Sequence, residues 1–300
     1  MTARTQSTLR IAQLNAENLF IYLDHFENQN LETLDEKSWQ ALSTSIIPNK
    51  PLKKTKWLAE SIKHIDPDII FLNEVGGLES LENFNWLFLD GVYQVFLIEG
   101  NSDRGIDLGY LVHPRWQKDY LLLSHKSRSL NFNYPHERIW NEQVNNQPEK
   151  KQYPSHRFSR DVLELRAFDP VTKKLECIFL NCHLKSKLDR DGIDPKGLDR
   201  RQAEFQTLLK IYEELKKETQ NQVPINIAGD FNGVASSEKP DLEFLEIQKT
   251  DLKNALLLAN RSEEERFTRF DFKTGQPPKG QQIDYIFLSE LLHDKVVTEE

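Results

Sequence analysis

Polar side chains suited to ligand binding or acid–base chemistry follow four apolar segments of this sequence. The four clusters are Leu14-Asn15-Ala16-Glu17-Asn18, Leu72-Asn73-Glu74-Val75, Asn181-Cys182-His183-Leu184-Lys185 and Gly229-Asp230-Phe231-Asn232. Because ligand sites in sheet proteins gather at strand ends, the clusters together predict a site. Taken singly, each has an ordinary explanation: Glu74 as a solvated strand end, the Gly-Asp-Phe-Asn run as a turn, and His183 as a structural histidine.

Apolar patterning supplies the elements that position these clusters. Short apolar or alternating segments predict strands over residues 9–15, 68–72, 92–98, 108–112, 162–168, 175–181, 224–228 and 282–288. Helical spacing predicts helices over residues 53–65, 198–217 and 243–259, the first ending at Asp66-Pro67. Strands mixed with a few well-separated helices predict an α+β fold, in which sheets pack face to face with helices outside.

Composition excludes several classes of protein. The chain has 300 residues, a net charge of -8 and a mean hydropathy of -0.62. Its apolar runs fall far short of the roughly 20 residues that a membrane span needs, and its first ten residues lack the apolar stretch of a secretory signal. We therefore expect one cytoplasmic domain over residues 1–300. Cys177 and Cys182 lie five apart in a predicted strand and so on opposite faces, which argues against a disulfide or a metal site.

Residues 124–160 form a basic segment in an acidic chain. They contain seven Lys or Arg against three Glu, so the segment carries +4 and the rest of the chain -12. Aromatic residues and three histidines are interleaved with the basic ones, without a sustained apolar period. This pattern predicts a long loop or insertion, and long loops in compact domains are usually functional.

Five segments resemble, in order, the motifs of the endonuclease/exonuclease/phosphatase superfamily, which includes deoxyribonuclease I-like nucleases. They are QLNAENLF, IIFLNEVGG, FLNCHLKSK, INIAGDFNG and QQIDYIFLS, spread from residue 13 to residue 289. The resemblance covers nearly the whole chain. It implies a two-layer β-sandwich with flanking helices, a four-layer α/β/β/α arrangement, and the hydrolysis of phosphoric esters.

The resemblance also implies roles for individual residues. Glu74, supported by Asn15, would hold Mg²⁺ or Mn²⁺, and Asp230 would orient or deprotonate the attacking water. Asn232 would hydrogen-bond to the phosphate or to a water on the metal, and His183 would act above the phosphate as donor or acid. Arg160 and Lys185 are candidate phosphate contacts, although a solvated role fits each of them equally well. These residues and Asp284 are expected to converge at one edge of the sandwich.

The chain departs from the superfamily at its end. The family's Ser-Asp-His motif, which follows the IDYIF strand and contains the second catalytic histidine, is absent. Asp284, which matches the residue that orients this histidine, is present, so we expect a domain that lacks its final strand and that motif. Residues 295–300 resemble the opening of a further strand, and His293 is expected to be a surface residue.

The sequence favours a Mg²⁺-dependent nuclease, because aromatic and basic residues in segment 124–160 can stack on bases and contact phosphates. Two alternatives remain open: a phosphatase or phosphodiesterase acting on phospholipid or inositol phosphate, and a non-catalytic binding module on the same fold. Nothing in the sequence indicates DNA or RNA preference, exo or endo mode, or oligomeric state.

Overall fold

The computed structural model describes residues 8–26, 30–189, 191–272 and 274–297. Within these residues the strands and α-helices are, in chain order, β1 (Ile11–Leu19), α1 (Glu36–Gln40), α2 (Leu52–Ile65), β2 (Ile69–Val75), α3 (Gly77–Phe88), β3 (Gln94–Leu97), β4 (Asp107–Val112), β5 (Asp119–Ser124), α4 (Pro135–Val144), β6 (Val162–Phe168), β7 (Leu175–His183), α5 (Leu198–Glu218), β8 (Ile225–Asp230), β9 (Lys253–Asn254), α6 (Ala255–Leu258), β10 (Arg269–Asp271), β11 (Lys279–Gln281) and β12 (Asp284–Leu288). Short 3₁₀ helices occupy Pro195–Gly197, Leu242–Lys249, Glu264–Arg266 and Glu290–Lys295.

The chain divides into two compact units. The first comprises Met1–Ser124 and Leu163–Glu176, and the second comprises His125–Val162 and Cys177–Glu300.

A sheet with the strand order β1-β2-β4-β3 forms the centre of the first unit. β1 and β2 run parallel, whereas β4 is antiparallel to both β2 and β3. Ile70 and Leu72 of β2 are completely buried and share one core with Ile62 of α2 and with Leu81 and Phe84 of α3. This burial explains why β2 is a nearly continuous apolar run rather than an alternating one.

The second unit contains the strand order β7-β8-β12-β9. β7 and β8 are parallel, and β12 is antiparallel to both β8 and β9. Phe231, directly after β8, packs its ring against Phe205 of α5 and against Tyr285 and Phe287 of β12, with ring centroids 5.3–6.2 Å apart. Since Phe231 is completely buried, it anchors the turn that contains Asp230 and Asn232.

β7 and β8 approach each other very closely at Gly229. Its φ is +147°, and a Cβ atom built there would lie 1.8 Å from the carbonyl oxygen of Cys182. Only glycine fits this position without moving one of the two strands.

Most predicted strands are present, but one predicted helix is wrong. Instead of a single helix over residues 243–259, the chain forms the 3₁₀ helix Leu242–Lys249, strand β9 and the short helix α6. The break lies at Asp251, whose carboxylate accepts hydrogen bonds from the Tyr212 hydroxyl and the Lys216 ammonium. Asn254 then caps α6 by accepting from the backbone N–H of Leu256.

Other elements were not predicted from periodicity. They are α1, α3, α4, β5 and the β10–β11 pair. Helix α4 lies inside the basic segment 124–160 and begins at Pro135, with Glu137 accepting a hydrogen bond from the backbone N–H of Tyr134. At the end of the chain, Lys295 closes a 3₁₀ helix, and residues 298–300 of the predicted strand opening lie outside the described residues.

None of the helices in the described ranges has the length and apolar character needed to cross a membrane.

Candidate functional site

Asn15 and Glu74 lie together in the first unit, where the parallel strands β1 and β2 end. Asn15 Nδ2 donates to Glu74 Oε1 at 3.3 Å, and the backbone N–H of Asn18 donates to Glu74 Oε2 at 3.1 Å. The Asn15 side-chain oxygen accepts from the backbone N–H of Glu17 at 2.9 Å. Both oxygens of Glu74 are thereby oriented by the end of the neighbouring strand.

Local irregularities in the strands place these side chains. The register shifts between Asn15 and Leu19 in the β1–β2 pairing, and between Leu72 and Val75 in the β2–β4 pairing. Glu17, Asn18 and Glu74 have positive φ values of 47°, 57° and 60°. Bulges and left-handed backbone at non-glycine residues cost conformational energy and occur preferentially beside functional sites.

The donor set of this first cluster fits a hard divalent cation. Mg²⁺ takes oxygen ligands and is usually bound through one or two carboxylates, with waters in its other positions. Glu74 supplies a half-buried, oriented carboxylate of that kind. In the described part of the chain, no three His, Cys, Asp or Glu side chains lie close enough together to enclose an ion. The first cluster therefore suits a metal ion that is held by few protein ligands.

His183, Asp230 and Asp284 form a row across three neighbouring strands of the second unit. His183 ends β7 and is paired in register with Asp230, which ends β8, and Asp230 is paired in register with Asp284 at the start of β12. Residues paired in this way present their side chains on the same face of a sheet. His183 Nε2 lies 3.8 Å from Asp230 Oδ2, and both residues are buried.

Asn232 joins this row through a tight turn after β8. Its backbone N–H donates to Asp230 Oδ1 at 2.7 Å, and its Nδ2 donates to the carbonyl oxygen of Leu184 at 3.0 Å. The backbone N–H of Leu184 in turn donates to the carbonyl of Asp230 at 3.0 Å. Asn232 has a φ of 55°, a conformation that asparagine tolerates better than most residues.

Arg160 lies in the same cluster. It is 7% exposed, and its Nη1 donates to the Leu184 carbonyl at 3.4 Å and to Ser159 Oγ at 3.2 Å. The Leu184 carbonyl therefore receives both Asn232 and Arg160, directly after His183. A buried guanidinium bonded to the residue that follows His183 is suited to an anionic ligand.

Lys185, the other candidate phosphate contact, follows Leu184 and contacts backbone oxygens of its own loop. Its ammonium donates to the carbonyl oxygens of Ser186 at 3.1 Å and Leu188 at 2.6 Å, and so stabilises its own loop. Burial lowers the pKa of this ammonium, and the neighbouring Arg160 guanidinium lowers it further.

His293 Nε2 donates to the Leu288 carbonyl at 3.0 Å.

Sequence reasoning missed Glu204 of α5. This carboxylate is completely buried and accepts the backbone N–H of Ser159 at 2.7 Å and that of Lys185 at 2.6 Å. It thus fixes the residues next to Arg160 and Leu184. The sequence does contain a signal for this role. Arg201 falls on the apolar stripe formed by Leu198, Phe205 and Leu208, and Glu204 lies one turn away. Charged residues are rarely buried on such a stripe unless they have a specific partner.

The predicted site residues therefore form two clusters, each inside one unit. The first cluster contains Asn15 and Glu74, and the second contains Arg160, His183, Asp230, Asn232 and Asp284. Convergence of all of them at one edge stays a prediction.

No protein-family model and no curated protein matches the sequence. Among solved structures, D. rerio TDP2 complexed with a single-strand DNA product aligns at 15% identity over 95% of this chain and 86% of that one, with a TM-score of 0.54. The human nocturnin catalytic domain with a bound sulfate anion aligns at 14% identity over 79% and 75%, with a TM-score of 0.52. The chain has their fold.

This likeness confirms the predicted α+β fold class and, at the level of fold, the family resemblance found in the sequence motifs. An endonuclease/exonuclease/phosphatase family protein from Bacteroides thetaiotaomicron also aligns, at 15% identity over 79% and 74% of the two chains, with a TM-score of 0.45.

Proposed function

We propose that this protein is a Mg²⁺-dependent phosphodiesterase that hydrolyses nucleic acid. The observation that carries the proposal is the row of His183, Asp230 and Asp284, completed by Asn232 and Arg160 around one carbonyl group. His183 supplies an acid or base, and Asp230 and Asp284 supply carboxylates at neighbouring strand ends. Arg160 adds a buried cation. Hydrolysis of an anionic ester requires that combination.

Each residue of the second cluster has a chemical task in this proposal. Asp230 accepts a proton from the attacking water, since its carboxylate is oriented by the N–H of Asn232. His183 donates a hydrogen bond to a phosphate oxygen, and Arg160 neutralises the charge that develops there. Asp284, paired in register with Asp230, adds a second carboxylate at this end of the sheet.

Two features of the clusters favour a metal. Asp230 and Asp284 are directly opposed on one face, and like charges in that position repel each other unless a cation lies nearby. Glu74, oriented by Asn15 and Asn18, is the residue we assign to Mg²⁺ or Mn²⁺. When bound, the cation would neutralise phosphate charge and support the leaving oxygen. The order of the sequence motifs supports our view that both clusters serve one reaction.

Nucleic acid is the favoured substrate for two reasons. All of the basic segment 124–160 except Ser124 belongs to the unit that contains Arg160 and His183. The structural neighbour from D. rerio was crystallised with a single-strand DNA product, and this chain has its fold.

The test is hydrolysis of single-stranded DNA and RNA oligonucleotides in Mg²⁺ and in EDTA. We expect turnover that needs the metal and falls roughly 10² to 10⁴-fold in Asp230→Asn and His183→Ala, the range that general acid–base catalysis supplies. Asp90→Asn, an exposed substitution with the same change of charge, is the matched control and should retain wild-type activity.

Sphingomyelin and inositol phosphates are assayed in parallel. Faster turnover of either would replace nucleic acid as the substrate. Binding of oligonucleotides without turnover in any metal would favour the non-catalytic module.

A further inference from the structure

A cleft of about 960 Å³ opens beside Glu74 in the first unit. Its walls contain three cationic side chains, Lys50, Lys54 and Arg104, and three carboxylates, Glu17, Glu74 and Asp103. Nothing in the reaction proposed above uses the three cations.

Lys50 is the fixed cation of this cleft. Its side chain is 5% exposed, and its Nζ donates to the carbonyl oxygen of Glu17 at 3.0 Å. Its backbone is held at both ends: the N–H donates to the Phe20 carbonyl at 2.8 Å, and the C=O accepts from the indole of Trp39 at 2.8 Å. Burying a lysine ammonium is costly, and here the surrounding backbone holds it in one place beside Glu74.

The neighbouring segment strengthens that fixation. Asn49 pairs with the backbone of Tyr22 in both directions, at 2.8 and 3.1 Å. Glu17 and Asn18, on the facing wall, both have left-handed backbone. The backbone around Lys50 is thus restrained, whereas the side chains of Lys54 and Arg104 are exposed at the mouth of the cleft.

The carboxylates of Glu17 and Glu74 already have partners. Glu17 Oε2 lies 3.1 Å from Lys54 Nζ and 3.9 Å from Lys50 Nζ, and Glu74 accepts from Asn15 and Asn18. Arg104 donates from Nη2 to the neutral Asn18 Oδ1 at 2.5 Å. Within the described ranges its guanidinium contacts no carboxylate, which leaves its planar donor fork available for an anion.

We infer that Lys50, Lys54 and Arg104 bind a second phosphate of the substrate, one that is not cleaved. This inference rests on the proposed function, which assigns Glu74 to the metal and His183 and Arg160 to the scissile phosphate. A guanidinium and two ammonium groups beside the metal carboxylate suit a phosphate. The substrate class is then an oligonucleotide with at least two phosphates, not an isolated phosphodiester.

Binding is measured first, with thymidine 3′,5′-bisphosphate, which contains two phosphates but no diester to cleave. We expect the Kd from calorimetry to rise about tenfold in Lys54→Met and in Arg104→Gln, as for the loss of one charged hydrogen bond. Lys53→Met, the adjacent exposed lysine on α2 that stacks over Trp57, is the matched control and should bind as the wild type does. Equal affinity in all four proteins would overturn the inference.

Turnover is measured second, on the thymidine dinucleotide without a terminal phosphate, with a 5′-phosphate and with a 3′-phosphate. We expect the wild type to prefer one phosphorylated form by about tenfold in kcat/KM, and Lys54→Met and Arg104→Gln to lose that preference. The preferred form identifies which neighbouring phosphate is bound. A preference that persists in both variants contradicts the inference.

The two measurements separate the inference from the proposed function. If no dinucleotide is cleaved but the bisphosphate still binds through Lys54 and Arg104, the function is wrong and the anion site stands. If the dinucleotides are cleaved but the variants bind and discriminate as the wild type does, the function stands and the anion site is wrong.

Discussion

Glu74 and Asn232 share a backbone conformation that side chains other than glycine rarely adopt. Their φ values are 60° and 55°, and both occur where a strand stops pairing regularly. Each such residue costs on the order of 1–3 kcal/mol, so the surrounding hydrogen bonds must hold it. The strain directs the Glu74 carboxylate towards Asn15 and Asn18 and the Asn232 amide towards Leu184.

The first prediction concerns Glu74. Mg²⁺ or Mn²⁺ should raise the Tm of the wild type but not that of Glu74→Gln, because a neutral amide cannot offset the charge of the cation. At a metal concentration about ten times its Kd, the stabilisation is roughly 1.4 kcal/mol, which a thermal melt can detect. Glu82→Gln, an exposed change on α3, is the control and should keep the full shift. Equal shifts in the wild type and Glu74→Gln would remove Glu74 from the metal site.

Two buried charged residues of helix α5 hydrogen-bond to the backbone next to the second cluster. Arg201, buried on this helix, pairs with Glu243 and donates from Nη1 to the carbonyls of Lys185 and Lys196 at 3.0 Å each. Glu204, one turn later, accepts the N–H groups of Ser159 and Lys185. One helix therefore fixes Ser159, the residue before Arg160, and the chain that follows His183.

The second prediction concerns Glu204 as a positioning residue. Glu204→Gln keeps the volume but replaces one acceptor oxygen with an amide, which leaves a buried N–H unpaired at a cost of about 1–3 kcal/mol. Because Arg160 and Leu184 then lose their fixed geometry, we expect kcat to fall about tenfold, with KM changed less.

The control for Glu204 is Glu213→Gln on the exposed face of the same helix. Steady-state kinetics of both variants show whether Glu204 affects kcat. A Glu204→Gln protein that is less stable but has the wild-type kcat would show that the carboxylate acts on folding alone.

The third prediction concerns the close approach of β7 and β8. Gly229→Ala should lower the free energy of unfolding by more than about 3 kcal/mol, because its Cβ would overlap the Cys182 carbonyl and the φ would be strained. Gly91→Ala separates the two causes, since Gly91 has a φ of +65° and no neighbouring atom within 4 Å. Urea unfolding of Gly91→Ala should show a loss of only about 1 kcal/mol in the free energy of unfolding. Equal losses in the two variants would mean that the positive φ, and not the overlap with Cys182, causes the destabilisation.

Elements and clusters differ in how far the sequence predicts them. Apolar runs such as residues 68–72 predict strands, because a buried strand needs apolar side chains on both faces. The residues of each cluster were predictable in type, since strand-end carboxylates and histidines are conspicuous. The parts that depend on distant residues were not predictable: Glu204 meets Ser159 across 45 positions, and Lys50 meets Glu17 across 33. No local pattern encodes such pairings.

The same reason explains the wrong helix at residues 243–259. Local apolar spacing favours a helix there, but Asp251 accepts from Tyr212 and Lys216, and its neighbours pair with β12. Tertiary hydrogen bonds outweigh the helical preference, which amounts to less than about 1 kcal/mol per residue.

At the scale of the whole molecule, the negative net charge of the protein repels the proposed substrate, which is also negatively charged. The net charge is -8, so long-range attraction to a polyanion is absent and any phosphate contact must be local. In segment 124–160, Arg160 is buried in the second cluster and Arg128 pairs with Glu214. Arg157 is exposed further along the segment. Arg138, Lys150 and Lys151 are exposed on or after α4, with Lys150 Nζ 5.8 Å above the ring of Trp140.

The last prediction is that these three exposed residues set the salt dependence of oligonucleotide binding. Each lysine or arginine that contacts a phosphate releases counterions and contributes about 0.7 to the slope of log K against log salt for a single strand. Replacing Arg138, Lys150 and Lys151 together by Gln should therefore reduce the slope by about 2, measured by fluorescence anisotropy in EDTA. Replacing Lys37, Lys210 and Lys217 by Gln changes the net charge equally at exposed positions elsewhere and should leave the slope nearly unchanged. If both triple variants lower the slope by the same amount, then overall charge governs binding, and the basic segment is an ordinary solvated surface.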